Sequence, residues 1–244
     1  MPRPRRLEPA GVPLHVIQRG NNRTACFFGD VDLRFYLKCL ADAASRRDCE
    51  IHAYALMTNH VHLLLTPQKA GGASRMLQDI GRRFVPIVNK FHERTGTLWE
   101  GRFRSNLVDS EKYFLTCHRY IELNPVRAGM VSRPSEYLWT SHRHYLGADI
   151  NPLITEHSSY MELGLAAEER RQRFLGLFRD PIDDVVLNRL RISVNKGWAL
   201  GSDAFLDRME EMIGRSVRPP RRGRPTKNSR PIGQEPDAQE EMLF

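Results

Sequence analysis

The run Thr58-Asn59-His60-Val61-His62-Leu63-Leu64-Leu65 constrains the fold of this chain more than any other stretch. Its apolar content and its bounding turn predict a β-strand from His60 to Thr66. Side chains alternate faces along a strand, so Val61, Leu63 and Leu65 enter a core while His60 and His62 project together from the other face. Glu50 to Met57 predicts a partner strand, joined through Thr58-Asn59 as a hairpin. Two imidazoles on one face can share a metal ion, or they can be ordinary polar side chains. The rest of the chain has to decide between these.

Pro13 to Gln18 predicts an earlier strand that ends in the turn-forming Arg-Gly-Asn-Asn-Arg. Asp30 or Asp32 is placed to cap a helix to about Arg47, with Leu33, Leu37, Leu40 and Ala44 at helical spacing. After Gly71-Gly72, Ser74 is expected to cap a helix to about Arg94. Its core stripe would be Leu77, Ile80, Phe84, Ile87, Val88 and Phe91, with a kink at Pro86. Thr97 to Val108 predicts a fourth strand, and Ser110 with Glu111 opens a helix that ends before Pro125. This order, β-α-β-β-α-β and then a helix, predicts an α+β fold. It is a ferredoxin-like antiparallel sheet with two helices on one face, a tyrosine-bearing helix, and a helical C-terminal extension.

Residues 1–150 are expected to form the main domain, with 130–150 as an irregular strap. Residues 151–214 form the extension, with helices at Ala167–Phe178, Ile182–Val194 and Ser202–Ile213. Residues 215–244 form a basic and then acidic tail, expected to be disordered.

A net charge of +8 and a pI near 9.6 favour a polyanionic partner. The helix after Gly72 carries Arg75, Arg82, Arg83, Lys90 and Arg94 on a basic face. Arg102 and Arg104 alternate with Phe103, a pattern that suits backbone contact and base stacking in single strands. The Arg222-Gly223-Arg224-Pro225 segment resembles an AT-hook core, whose guanidiniums lie in a duplex minor groove. No apolar run approaches the ~20 residues of a membrane span. The basic start lacks a secretory apolar region. Cys26, Cys39, Cys49 and Cys117 are too scattered for a zinc ribbon or a disulfide framework and suit a reducing cytoplasm.

On the helix after Ser110, Tyr113, Cys117, Tyr120 and Asn124 recur along one face, while Phe114, Cys117 and Ile121 would pack inward. A phenol with a normal pKa of roughly 10 is a poor nucleophile. Beside a divalent cation its phenolate becomes accessible, and the cation also polarises a phosphodiester. Two other readings stay open from the residues alone. One is a nucleic-acid-binding module built on a ferredoxin-like sheet. The other is a metal-dependent nuclease that uses water.

Three segments carry a resemblance: Asn59 to Leu64, Trp99-Glu100-Gly101-Arg102-Phe103, and His118 to Gly129 with its Tyr-Ile-Glu-Leu-Asn-Pro-Val-Arg-Ala-Gly run. From about Pro13 to Gly147 the chain resembles the REP-associated tyrosine transposases, of the single-tyrosine HUH endonucleases. The resemblance implies that His60 and His62 bind Mg²⁺ or Mn²⁺ and that Tyr120 is the nucleophile. It also implies that Asn124 is a third metal ligand, at a position where some relatives carry glutamine. The implied activity is cleavage and rejoining of single-stranded or hairpin DNA through a 5′-phosphotyrosine, beside short palindromic repeats. Relatives act as monomers or homodimers.

Overall fold

A computed structural model describes residues 6–220. Strands β1 (Leu14–Arg19), β2 (Cys49–Met57), β3 (His60–Pro67) and β4 (Arg104–Leu107) form one antiparallel sheet in the order β2-β3-β1-β4. Helices α1 (Asp30–Arg47) and α2 (Gly72–Phe91) pack together on one face. This is the ferredoxin-like arrangement expected from the element order. Leu14, Val16, Leu56, Val61, Leu63 and Leu65 meet Tyr36, Leu40, Ile80 and Phe84 there in the main core. Each such side chain contributes about 1.5–3 kcal/mol by leaving water.

The second face is covered by α3 (Phe114–Glu122), which continues into the single turn α4 (Asn124–Arg127). Ala53 and Ala55 of β2 are small enough for α3 to approach, and Leu64, Cys117 and Ile121 fill the contact. The remaining helices are α5 (His142–Tyr145), α6 (Ser158–Met161), α7 (Ala167–Gly176), α8 (Asp184–Lys196) and α9 (Asp203–Ile213). Leu190 of α8 joins the same core as α3, so the extension packs directly on the sheet domain.

Both sheet edges are covered, which removes unpaired backbone groups from solvent. Residues 137–142 run along β2: Leu56 N–H donates to Trp139 O at 2.9 Å and Ser141 N–H to Tyr54 O at 3.1 Å. At the other edge, Leu200 N–H donates to Leu107 O at 2.8 Å.

Several boundaries differ from the sequence expectation. α2 starts at Gly72, and its first-turn donors are met by Glu8, which accepts from Ser74 N–H at 2.9 Å and Ser74 Oγ at 2.6 Å. The helix ends at Phe91, and both Ile87 and Phe91 are exposed, so its buried stripe is narrower than the expected one. Pro86 lies inside an unbroken helix. β4 is only four residues long, because Gly96 and Gly101 adopt positive φ (82° and 62°) and turn the preceding segment out of the ladder. Past Gly214 the chain still packs: Val217 is buried and Arg218 pairs with Asp207 and Glu210, each at 2.6 Å. Arg222 and Arg224 lie outside the described residues. The four cysteines are free and buried, and no helix among the described residues is long and apolar enough to cross a membrane.

Candidate active site

Strand register builds the site floor. His15 pairs with Leu64 and Asn106, Ile17 with His62 and Arg104, and Arg19 with His60. Directly opposed residues share a face. His15, Arg19, His60, His62 and Arg104 therefore all lie on the face that α3 covers. His60 and His62 have ring centroids 4.9 Å apart. His15, diagonally across from His62, stacks on it at 5.2 Å, and its Nε2 is 2.9 Å from His62 Nδ1.

Burial keeps these imidazoles neutral. His60 is pushed down to about 4 by burial and then by Arg19. His15 is pushed down to about 3 by burial and then by Arg127. Burial, His60 and His15 hold His62 well below the ordinary histidine range. A metal ligand must be unprotonated, so the pair meets the first requirement for holding a cation. The second is a free ring nitrogen. His60 Nδ1 is 2.7 Å from Asn59 Oδ1, an acceptor, so its proton is on Nδ1 and Nε2 carries the lone pair. For His62 Nε2 to be free, Nδ1–H must donate to His15. Among the described residues there is no group of three or more His, Cys, Asp or Glu that could hold a metal. The pair thus fits a cation whose other ligands are oxygens from water or substrate.

Tyr120 closes the site from above. Its ring lies edge-on to His15 and His62, at centroid distances of 5.7 and 5.8 Å. Cys117 and Ile121, both fully buried on the same helix, lock α3 onto the sheet and thereby hold the ring in place. Burial raises the phenol pKa, while Arg127 and Arg191 oppose that shift. Tyr113, on the same stretch, has its hydroxyl bonded to Arg189 Nη1 at 2.7 Å.

Asn124 is buried, and its amide is already engaged. Nδ2 donates to Tyr120 O at 3.1 Å and Ile121 O at 3.3 Å, and Oδ1 accepts from Arg127 Nη2 at 2.8 Å. The expected DNA-contacting arginines are divided between the two faces. Arg104 is on the tyrosine side, bonded to Asn195 Oδ1 of α8 at 2.6 Å. Arg82 and Arg83 are exposed on α2, across the sheet from Tyr120, and Arg83 is paired with Asp42. Arg102 is exposed on the rim of a cavity of about 330 Å³ beside α2.

Sequence reasoning missed His15, Arg127 and Arg191. Alternation along β1 could have put His15 on one face, but only the register shows that this is the His62 face.

The family model described as IS200-like transposase matches residues 10–124. Among solved structures, the chain is similar to a REP-associated tyrosine transposase bound to a REP hairpin. Identity is 19% over 65% of this chain and 96% of that one, with a TM-score of 0.52. It is also similar to a putative transposase from Deinococcus radiodurans R1, at 25% identity over 50% of this chain and 96% of that one, with a TM-score of 0.35. No protein of curated function matches the chain in sequence.

Proposed function

Residues 10–124 match the family model described as IS200-like transposase, and from that likeness we propose that this protein cleaves and rejoins single-stranded DNA through a covalent 5′-phosphotyrosine at Tyr120. The observation that carries the reading is the buried Tyr120 ring set edge-on, within 6 Å, to a stacked pair of neutral histidines.

In the proposed reaction, Tyr120 Oη attacks the scissile phosphorus and the bond to the 3′-oxygen breaks. The phenolic proton is lost, the departing 3′-oxygen gains one, and a free 3′-hydroxyl is left. Attack by that hydroxyl or another reverses the step and rejoins the strand. Mg²⁺ or Mn²⁺, held by His60 and His62, would supply positive charge to the phosphate oxygens. Burial of the two histidines keeps them available for this at neutral pH. To serve as a third ligand, Asn124 would have to release Arg127. The proposed substrate is the phosphodiester of a single strand or a hairpin flank. The free, buried cysteines support a reducing, cytoplasmic setting.

Incubation with single-stranded DNA and Mn²⁺ tests the reading. The expected product is a protein–DNA adduct that survives denaturation, abolished by Tyr120→Phe and by EDTA. Cleavage by the wild type with no adduct at any time would show that water, not Tyr120, is the nucleophile.

A further inference from the structure

Two guanidinium groups meet at Tyr120, and neither lies in the segment matched by the family model. Arg127 of α4 places its Cζ 4.1 Å from the centre of the Tyr120 ring. One arm of its fork, Nη2, is fixed by Asn124 at 2.8 Å, while the other, Nη1, is buried with no hydrogen-bond partner. Arg191 comes from α8, in the C-terminal extension. Its charge acts on both Tyr120 and Arg127, so the three side chains stand close together and the two guanidiniums oppose each other. Arg19 of β1 adds a further positive charge near the ring.

This arrangement is unfavourable as it stands. Like charges repel more strongly where water is scarce, and a buried N–H without an acceptor forfeits a hydrogen bond. An anion between the two forks removes both penalties. Forked guanidiniums match the paired oxygens of a phosphate better than any other side chain does.

We infer that Arg127 and Arg191 form a phosphate clamp around the Tyr120 hydroxyl, so that the C-terminal extension supplies part of the active site. The inference rests on the covalent reading above and deepens it. As Tyr120 Oη bonds to phosphorus and the 3′-oxygen leaves, the non-bridging oxygens gain charge where the two forks converge. After cleavage the same forks hold the phosphotyrosine diester in place for the returning 3′-hydroxyl. Asn124 acts as a positioning residue for Arg127.

The test uses the full chain carrying ¹³Cζ-labelled tyrosine, with the Tyr120 signal assigned by its loss in Tyr120→Phe. Inorganic phosphate titrated into metal-free, DNA-free protein should shift that signal, and Arg191→Gln should weaken the response about tenfold or more. In the adduct assay at saturating single strand, Arg191→Gln should lower the rate about 10²-fold. The apparent KM should change less than threefold, and Arg191→Lys should restore part of the rate. Arg127→Gln should act in the same direction, and thermal melting checks that each variant is folded. A folded Arg191→Gln protein with the wild-type phosphate response and the wild-type rate overturns the clamp while leaving the covalent reading intact. A wild type that makes no adduct, yet binds phosphate through Arg191, overturns the covalent reading and leaves the clamp standing.

Discussion

At the scale of single residues, His15 has the largest effect for the least visible signal. It is fully buried, its Nδ1 has no hydrogen-bond partner, and its Nε2 faces His62. An imidazole that binds a cation through one nitrogen must present a proton on the other, and the residue that accepts that proton fixes the tautomer. His15→Phe keeps a flat ring in the stack but removes the acceptor. It should weaken Mn²⁺ binding about 10- to 100-fold by calorimetry or spin resonance. Unchanged affinity would make His15 a packing residue only. The depressed pKa values carry a sign as well. With His60 at about 4 and His62 lower than its ordinary range, protons do not compete for these nitrogens near neutrality. Mn²⁺ affinity should therefore hold nearly constant from pH 7.5 to about 5.5 and fall as pH approaches 4. A loss centred near 6.5 would mean that the histidines titrate as if in water.

At the scale of elements, one buried carboxylate ties α3 to the strap. Glu122 is bonded to His118 at 3.0 Å, His142 at 2.7 Å and Ser141 Oγ at 2.6 Å. Burial alone would raise its pKa, but the two histidines outweigh burial and bring it down to about 2. Removing one partner of a buried charge network leaves the others uncompensated. Glu122→Ala should cost about 3–5 kcal/mol in denaturant unfolding. The same change should speed hydrogen exchange at Leu56 and Ser141, whose amides bond between β2 and the strap. Slow exchange there despite the mutation would show that the strap is anchored elsewhere. A smaller effect belongs to α8, whose first turn is capped by Asp183 Oδ1 on the amides of Val185 and Val186. Asp183→Ala should lower stability by ~1 kcal/mol, read as a shifted denaturation midpoint.

At the scale of the whole molecule, neutral buried histidines make the fold acid-sensitive. His52 lies away from the tyrosine, donates from Nδ1 to Thr155 O at 2.7 Å, and accepts at Nε2 from Thr66 Oγ1 at 2.8 Å. Burial pushes it down to about 3, against the opposing pull of the Thr155 carbonyl. Between that value and its unfolded value near 6.5, the unfolded chain binds a proton that the folded chain does not. Its contribution is therefore complete above pH 6.5 and is lost as pH falls, by up to about 1.4 kcal/mol per pH unit. Melting temperature should drop steadily from pH 6.5 to pH 5, and a flat profile would rule out neutral burial. The sequence by itself determined the order of elements, the sheet hairpin and the common face of His60 and His62. All of these follow from side-chain periodicity within a few residues, and local spacing is the information a single chain displays. It could not reach the cap that Glu8 gives α2, because that contact spans 66 residues. Nor could it place His15 against His62, 47 residues away, since a one-residue slip in register would turn the histidine to the other face. The approach of Arg191 to Tyr120 was decided only by the tertiary structure. It depends on α8 crossing the edge of the sheet and burying Leu190 beside α3, a packing that no local pattern encodes.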